Sequence, residues 1–363
     1  MNTFGKTIGL TIFGESHGLS IGAVLDGLPS GEAIDWDAVQ TEMARRAPGK
    51  NKMSTARSEK DAFEVQSGFF NGHTTGTPLC AIIRNSDQHS RDYDQLRYIM
   101  RPGHADYSGK IRYGGFNDYR GGGHFSGRLT APLVFAGAVA SQILARHGIT
   151  VGSHILRLAG IADKPFDAAG ETAETLQALK KETLPVLDKA QAGPMEEKIL
   201  EAKNDLDSVG GVIECMVTGL PAGIGDPFFD SVESQLSHMM FSVPAVKGIE
   251  FGDGFALADL RGSQANDAFY YDGDAVKTRT NHNGGINGGI TNGMPVVFRL
   301  AVKPTASISQ KQETIDTDTK ENCDLVIKGR HDPCIVQRAI PVVEAAAAWA
   351  ILDVCLSEKG RCW

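Results

Sequence analysis

Three short segments combine histidine with glycine or proline and could carry acid–base chemistry. They are FGESHG at 13–18, RPGHADY at 101–107 and GRHDP at 329–333, and they contain His17, His104 and the pair His331-Asp332. Histidine titrates closest to neutral pH, which suits proton transfer. Glycine lets a backbone turn sharply and approach a ligand closely. The segments therefore predict loops that could present proton-transfer groups to a bound molecule, although a single loop histidine is more often only solvated.

Basic residues are concentrated although the chain as a whole is acidic. Its 363 residues carry a formal net charge of −8, which argues against a nucleic-acid binder. Residues 45–60 (RRAPGKNKMSTARSEK) hold six Lys or Arg, and further basic residues follow between 91 and 128. The planar fork of arginine suits carboxylate and phosphate. We expect a small-molecule substrate with several negative charges, the alternative for the first stretch alone being a solvated loop.

Glycine-rich stretches at 121–127 (GGGHFSG) and 283–289 (NGGINGG), together with KPTAS at 303–307, could form anion-binding nests of backbone N–H groups. Neither a G-x-G-x-x-G between a strand and a helix nor a G-x-x-x-x-G-K-S/T occurs, so Rossmann and P-loop sites are disfavoured. The six cysteines are scattered, and no H-E-x-x-H occurs, so neither a metal site nor a disulfide framework is expected. The residues alone indicate an enzyme that acts on a polyanionic small molecule by proton transfer at histidines.

The elements that must hold these loops are predicted by an internal repeat. Residues 22–43 and 211–236 each read as a strand, a Gly-Leu-Pro-x-Gly turn and a helix that opens near an aspartate, Asp37 or Asp230. Each half then ends in a helix, 131–147 or 339–359, that is apolar or small on nearly every face and should be buried on all sides. We predict a duplication with halves of about 1–150 and 208–363.

A charged segment at 163–207, rich in Glu, Lys and Ala, should form one or two solvated helices that join the halves. The pattern predicts one α+β domain over 1–363, with buried apolar helices between antiparallel sheets. The first residues lack a signal-peptide pattern, and no long, strongly apolar stretch with polar flanks occurs. We therefore expect a cytoplasmic protein with no membrane partner.

The same segments resemble the chorismate synthase family over essentially the whole chain. In order, the matching motifs are FGESHG, RRAPG followed by T-x-R-x-E-x-D, SGFFNGHTTGTP, RPGHADY, DYRGGG, VPAVKGIEFGDGF, NGGINGGI, KPTAS and GRHDPC. The resemblance implies a β-α-β sandwich with internal pseudo-two-fold symmetry, assembled as a homotetramer. It implies conversion of 5-enolpyruvylshikimate 3-phosphate to chorismate by a 1,4-anti-elimination of phosphate with loss of the C6 proton. Reduced FMN would be required without net redox change.

The resemblance also implies roles for individual residues. His17 would protonate the reduced flavin, His104 would act as an acid toward the leaving phosphate, and Asp332 would work through the flavin N5 on proton removal. Arg46 and Lys52 match positions that bind phosphorylated ligands, given in the family for NADP. Further substrate candidates are Arg45, Arg101 and Arg128. FMN contacts would fall on His124, Phe125, Ser126, Ala245, Gly288, Lys303, Pro304, Thr305, Ala306, Ser307 and Arg330.

One segment departs from the family pattern. Many members read Arg-Ser-Ser-Ala-Arg-Glu-Thr after the triple glycine, whereas this chain reads HFSGRLT at 124–130. An arginine and a serine that could contact flavin are lost, while backbone contacts can remain. Nothing resembles an added reductase domain, so an external flavin reductase, drawing on NADPH, is the expected functional partner. Two other functions stay open: a flavin oxidoreductase for another phosphorylated anion, and a non-catalytic binder of phosphorylated metabolites.

Overall fold

The computed structural model describes residues 1–49, 52–54, 61–86, 96–327 and 331–358. The helices in these ranges are α1 Trp36–Arg46, α2 Asp106–Arg112, α3 Thr130–Arg146, α4 Ala173–Leu179, α5 Ala192–Asn204, α6 Val232–Met240, α7 Gly262–Ala265 and α8 Val336–Ser357. The strands are β1 Thr3–Phe4, β2 Gly9–Gly14, β3 Ser20–Asp26, β4 Phe63–Ser67, β5 Phe69–Phe70, β6 His73–Thr74, β7 Leu79–Arg84, β8 Thr150–Leu158, β9 Ile161–Ala162, β10 Gly211–Thr218, β11 Val246–Phe251, β12 Phe269–Asp272, β13 Ala275–Thr278, β14 Ile286–Asn287, β15 Ile290–Thr291, β16 Val296–Val302, β17 Gln312–Asp316 and β18 Glu321–Leu325.

Two antiparallel sheets of five strands form the frame. Their strand orders are β1-β2-β3-β7-β4 and β11-β16-β10-β8-β9. In the first sheet Ile21 of β3 pairs with Ile83 of β7, and Ala23 pairs with Ala81. All four residues are buried. Along β7 the buried residues alternate with less buried ones. Such alternation is typical of an antiparallel sheet with one face on the core. The prediction of an α+β fold with antiparallel sheets is confirmed.

The helices α3 and α8 pack against each other between the sheets. The first contacts β3 of one sheet, and the second contacts β8 and β10 of the other. Their close approach depends on Gly137, because a Cβ there would lie 2.2 Å from the Cα of Ala345. Both helices are long and apolar enough to cross a membrane, but 83% and 94% of their apolar windows are buried inside the protein. They are core helices of this fold.

Helix starts differ slightly from the sequence prediction. The N-cap of α1 is Asp35, whose Oδ1 accepts hydrogen bonds from the backbone N–H of Asp37 at 2.9 Å and of Ala38 at 3.1 Å. The N-cap of α6 is Ser231, whose Oγ accepts from the N–H of Ser234 at 3.0 Å. Asp37 thus lies in the first turn and is not the N-cap. Its negative charge there interacts favourably with the helix dipole.

Of the two predicted charged helices, α4 contacts β8 of the second sheet, and α5 packs against the main hydrophobic core. They bury Leu176, Met195 and Ile199, and a Cβ at Gly152 of β8 would lie 2.8 Å from Leu176. The segment is tied to the sheet by His154 of β8. Its Nδ1 lies 3.0 Å from Asp163 Oδ2.

The Nε2 of His154 lies 2.9 Å from Glu214 Oε2 of β10. Burial opposes a charged imidazole, but the hydrogen bonds to Asp163 and Glu214 outweigh it and raise the pKa of His154. A positive histidine therefore links two buried carboxylates, one from the sheet and one from the segment that covers it.

Candidate functional site

A cavity of about 760 Å³ opens beside the two core helices. Its wall comes from the end of α1, the loop before α2, the turns around 120–129, the loop after α6, the loop after β16 and the start of α8. It brings together most of the predicted site residues: His17, Arg46, Arg101, His104, His124, Phe125, Ser126, Arg128, Ala245, Lys303, Pro304, Thr305, Ala306, Ser307 and Asp332.

The triple glycine brings two of the histidine motifs together. Gly121 and Gly122 adopt positive φ angles of 59° and 83°. A Cβ on Gly121 would lie 2.2 Å from the His17 Nδ1, and one on Gly122 would lie 3.3 Å from the His104 Nε2. At Gly121 no side chain could be added unless the imidazole moved. The backbone of the DYRGGG segment therefore forms the surface against which both imidazoles pack.

His104 is oriented by its neighbour Asp106. The His104 Nδ1 lies 2.7 Å from Asp106 Oδ1, and Arg101 donates to the same carboxylate through Nε and Nη2, each at 2.7 Å. Burial opposes ionisation of Asp106, but the hydrogen bonds from Arg101 and His104 hold its pKa well below the usual range. Because an ionised carboxylate only accepts, we assign the proton on Nδ1 to the bond with Asp106. The Nε2 is then the atom available for proton transfer.

His124, in the segment that departs from the motif pattern, has a fixed tautomer. Its Nδ1 lies 2.7 Å from the carbonyl oxygen of Gly14. Since a carbonyl oxygen only accepts, the Nδ1 carries the proton, and the Nε2 of a neutral ring is an acceptor. This chain thus places an imidazole with a defined tautomer in the cavity wall.

The GRHDP motif contributes two side chains to the cavity. Asp332 Oδ2 accepts a hydrogen bond of 2.5 Å from Nη1 of Arg338, which lies on α8. The Nε2 of His331 is buried and has no hydrogen-bond partner among the described residues. Burial, followed by the nearby charge of Arg101, lowers the pKa of His331, so its ring is neutral at neutral pH. The sequence named His331, together with Asp332, as a candidate acid–base group, whereas it gave Arg338 no role.

Two lysines face the cavity from neighbouring segments. Lys303 donates to the carbonyl oxygen of Gly103 at 3.0 Å, and burial together with the charge of Lys247 lowers its pKa. Lys247 also lines the cavity and was not predicted, although it lies within the VPAVKG motif. Ala245, two residues before Lys247, has a φ of +74°. Its carbonyl oxygen accepts a hydrogen bond from the backbone N–H of Lys303 at 2.9 Å. A strained residue that is not glycine is typical of a functional site.

Four predicted residues are not brought to the cavity by the described structure. Arg45 donates to Glu42 and Glu344 at 2.5 Å each, and although burial opposes its charge, these carboxylates raise its pKa. It lines a separate cavity of about 190 Å³. Lys52 is exposed, and Gly288 lies in the turn between β14 and β15. Arg330 lies outside the described residues.

The donor set fits phosphorylated and carboxylated ligands. Arginine and lysine side chains line the cavity on several sides, and Lys303 and Lys247 lie close enough for the charge of one to lower the pKa of the other. The buried Nε2 of His331 is available for a hydrogen bond with a ligand atom. The fold and the site thus define an α+β enzyme that binds a polyanion beside histidines arranged for proton transfer.

Comparison with known proteins narrows this class to one family. The family model "Chorismate synthase" matches residues 8–356. A chorismate synthase of Dehalococcoides mccartyi is 45% identical over 98% of this chain and 96% of its own length. One of Chitinophaga pinensis is 46% identical over 99% and 98%. A solved structure, "Crystal Structure of Chorismate Synthase", superimposes with a TM-score of 0.77 at 28% identity and covers 98% of this chain and 94% of that one.

The chain belongs to the chorismate synthase family. Enzymes of this family are lyases of the shikimate pathway and use reduced flavin. The earlier resemblance to this family is therefore confirmed.

Proposed function

We propose that this chain converts 5-enolpyruvylshikimate 3-phosphate to chorismate by 1,4-anti-elimination, with His17, His104 and Asp332 as its catalytic residues. One observation carries the proposal: the FGESHG, RPGHADY and GRHDP motifs meet at one cavity that is lined by basic side chains. The substrate carries a phosphate and two carboxylates, so it suits a wall of arginines and lysines.

In this proposal His104 acts on the leaving phosphate. Its Nε2 carries the proton that is donated, while Asp106, 2.7 Å from Nδ1, fixes the orientation of the ring. Arg101 holds Asp106 in place and also donates to Ser307 Oγ at 3.1 Å, which links the histidine loop to the KPTAS segment. Proton donation at this position lowers the charge that the departing phosphate must carry.

Reduced FMN, when bound, supplies electron density as phosphate leaves and takes up hydrogen from C6. We propose that His17, packed against Gly121, holds a proton toward the flavin ring system. Asp332, oriented by Arg338, would accept the proton that the reaction removes from C6. The cofactor would be held by nine of the predicted contacts, which line the cavity, with Lys247 added as a further phosphate contact.

NADPH would enter only through an external flavin reductase. Of the two positions assigned to NADP by resemblance, Arg46 lines the cavity and Lys52 is an exposed residue outside its wall. We therefore propose that the reductant acts on free flavin, which this chain then binds in reduced form.

The proposal includes a cytoplasmic homotetramer built from a duplicated domain. Support for duplication comes from the matching strand orders β2-β3-β7-β4 and β8-β10-β16-β11, followed in each half by one core helix. Support for assembly comes from aromatic side chains left largely exposed in the monomer, among them Phe228, Phe229, Phe255, Phe269 and Tyr271. The burial of α3 and α8 supports a location away from membranes.

Substitution of the two histidines tests the roles. His104→Asn and His17→Asn should retain substrate binding and lose about 10²- to 10⁴-fold in turnover, the range typical of general acid–base groups. His73→Asn is the matched control, because His73 is exposed and outside the cavity. Turnover and substrate affinity are measured anaerobically with reduced FMN. Unchanged turnover in both variants would contradict the assigned roles.

A further inference from the structure

Asp61 joins two arginines of the cavity wall through a single carboxylate. Its Oδ2 accepts from Arg46 Nη1 at 2.6 Å, and its Oδ1 accepts from Arg128 Nη1. The residue is only 2% exposed, and the arginines are 3% and 4% exposed. The sequence resemblance contained this aspartate as the last residue of T-x-R-x-E-x-D but gave it no role.

Further contacts fix the planes of both guanidinium groups. Arg46 donates through Nε to Thr130 Oγ1 and through Nη2 to the Gly127 carbonyl, each at 3.0 Å. Arg128 donates through Nε to Asn85 Oδ1 at 3.0 Å. A guanidinium held at several of its edges loses little freedom when a ligand binds, so its affinity for that ligand is improved.

The local backbone is held in an unfavourable conformation at this point. Asp61 has a φ of +49°, in the left-handed region that residues other than glycine seldom occupy. Such strain persists where surrounding contacts fix it and is concentrated at ligand-binding sites. Among the described residues, both arginine contacts hold the Asp61 side chain in place.

The carboxylate also sets the charge of this part of the wall. Burial opposes ionisation of Asp61, but Arg46 and Arg128 hold its pKa below the usual value. One carboxylate and two guanidinium groups leave a net positive charge. Without Asp61, two buried cations would repel each other and separate.

We propose that Asp61 is a positioning residue that holds Arg46 and Arg128 together as one clamp for the phosphate group of the substrate. This inference rests on the proposed function, because it takes the cavity to be the substrate site. Asp61 itself does not line the cavity; it acts through the two arginines, which do.

The test compares Asp61→Asn with wild type in steady-state kinetics. Asparagine keeps the volume but loses the charge, so the clamp should loosen. We expect KM for 5-enolpyruvylshikimate 3-phosphate to rise at least tenfold and kcat to change less. The control is Asp163→Asn, which removes another buried carboxylate that does not line the cavity and should lower the melting temperature without a rise in KM. An unchanged KM in D61N, or an equal rise in D163N, would overturn the proposal.

A double-mutant cycle separates positioning from general destabilisation. If Asp61 acts through Arg128, D61N should raise KM much less in an Arg128→Gln background than in wild type. An equal rise in both backgrounds would contradict the clamp. The same variants are also titrated with inorganic phosphate and followed by ³¹P line broadening, which needs no turnover.

The phosphate titration distinguishes the two ways in which the idea could fail. If wild type binds phosphate but forms no chorismate, the proposed function fails, and the clamp is still judged by whether D61N weakens phosphate binding at least tenfold. If D61N binds phosphate as wild type does, or wild type binds none, the clamp is refuted.

Discussion

The backbone at Gly121 and Gly122 occupies space that any side chain would take from His17 and His104. The two imidazoles come from segments almost ninety residues apart in the chain, and each approaches the same glycine turn. Proton transfer depends on distances of hydrogen-bond length, so small displacements of either ring have large effects on rate. At the scale of single residues, the site depends on the triple glycine as much as on the histidines.

Gly121→Ala should lower activity strongly with little effect on folding. The new Cβ would lie 2.2 Å from His17 Nδ1 and would push the ring away. We expect a fall in turnover of about 10²-fold, the loss that a 1 Å misplacement can cause. Gly115→Ala is the matched control, because Gly115 also has a positive φ, of 82°, but nothing lies within 4 Å of its added Cβ. Equal activity losses in the two variants would indicate backbone strain rather than displacement of His17.

Helix geometry gives different environments to two adjacent arginines that the sequence alone could not distinguish. Arg45 and Arg46 are neighbours at the end of α1 and point to different sides of it. The first pairs with Glu344 of α8, and the second pairs with Asp61 beside the cavity. Successive helical residues differ in direction by about 100°, so one of two adjacent arginines faces a core helix and the other faces the ligand site.

The link between β8, β10 and the helical segment should give stability a particular pH dependence. A raised folded-state pKa for His154 stabilises the fold fully below the unfolded value near 6.5 and less as pH rises through the folded value. Asp163 and Glu214, whose pKa values are lowered, lose their contribution as pH falls below about 4. The free energy of unfolding from this cluster is therefore greatest between these limits.

Urea unfolding at pH 5 to 9 tests this. Wild type should lose stability relative to His154→Gln as pH rises above 6.5, while at pH 5 to 6 the variant should be less stable by about 3–5 kcal/mol, the cost of breaking a buried ion pair. His73→Asn, at an exposed position, should follow the wild-type curve. A constant difference between wild type and H154Q across this range would rule out a titrating histidine.

For the whole molecule, the sequence predicted the layers and most of the cavity wall. The core helices could be recognised from the sequence because they are apolar or small on nearly every face. The loops of the site could be recognised because each of their motifs is short and contiguous. Lys247 and Arg338 were missed because a lone basic residue on a strand or helix has no local pattern. Their part in the site arises only when α8 and the loop after α6 meet. The positions of the helix caps also depended on side-chain reach rather than residue type.

The proposal that an external flavin reductase supplies the reduced cofactor leads to a prediction for the whole protein. With oxidised FMN, NADPH and substrate under anaerobic conditions, the protein alone should give negligible turnover. Addition of a separate flavin reductase should restore chorismate formation. Sustained turnover without the reductase would show that this chain reduces its own flavin.

The most direct test is anaerobic mixing of the protein with chemically reduced FMN and 5-enolpyruvylshikimate 3-phosphate. Chorismate, free phosphate and the oxidation state of the flavin are recorded together. We expect equal amounts of chorismate and phosphate over many turnovers, with the flavin still reduced at the end. Oxidation of flavin in proportion to substrate consumed would instead identify an oxidoreductase, and binding of both ligands without product would identify a non-catalytic binder.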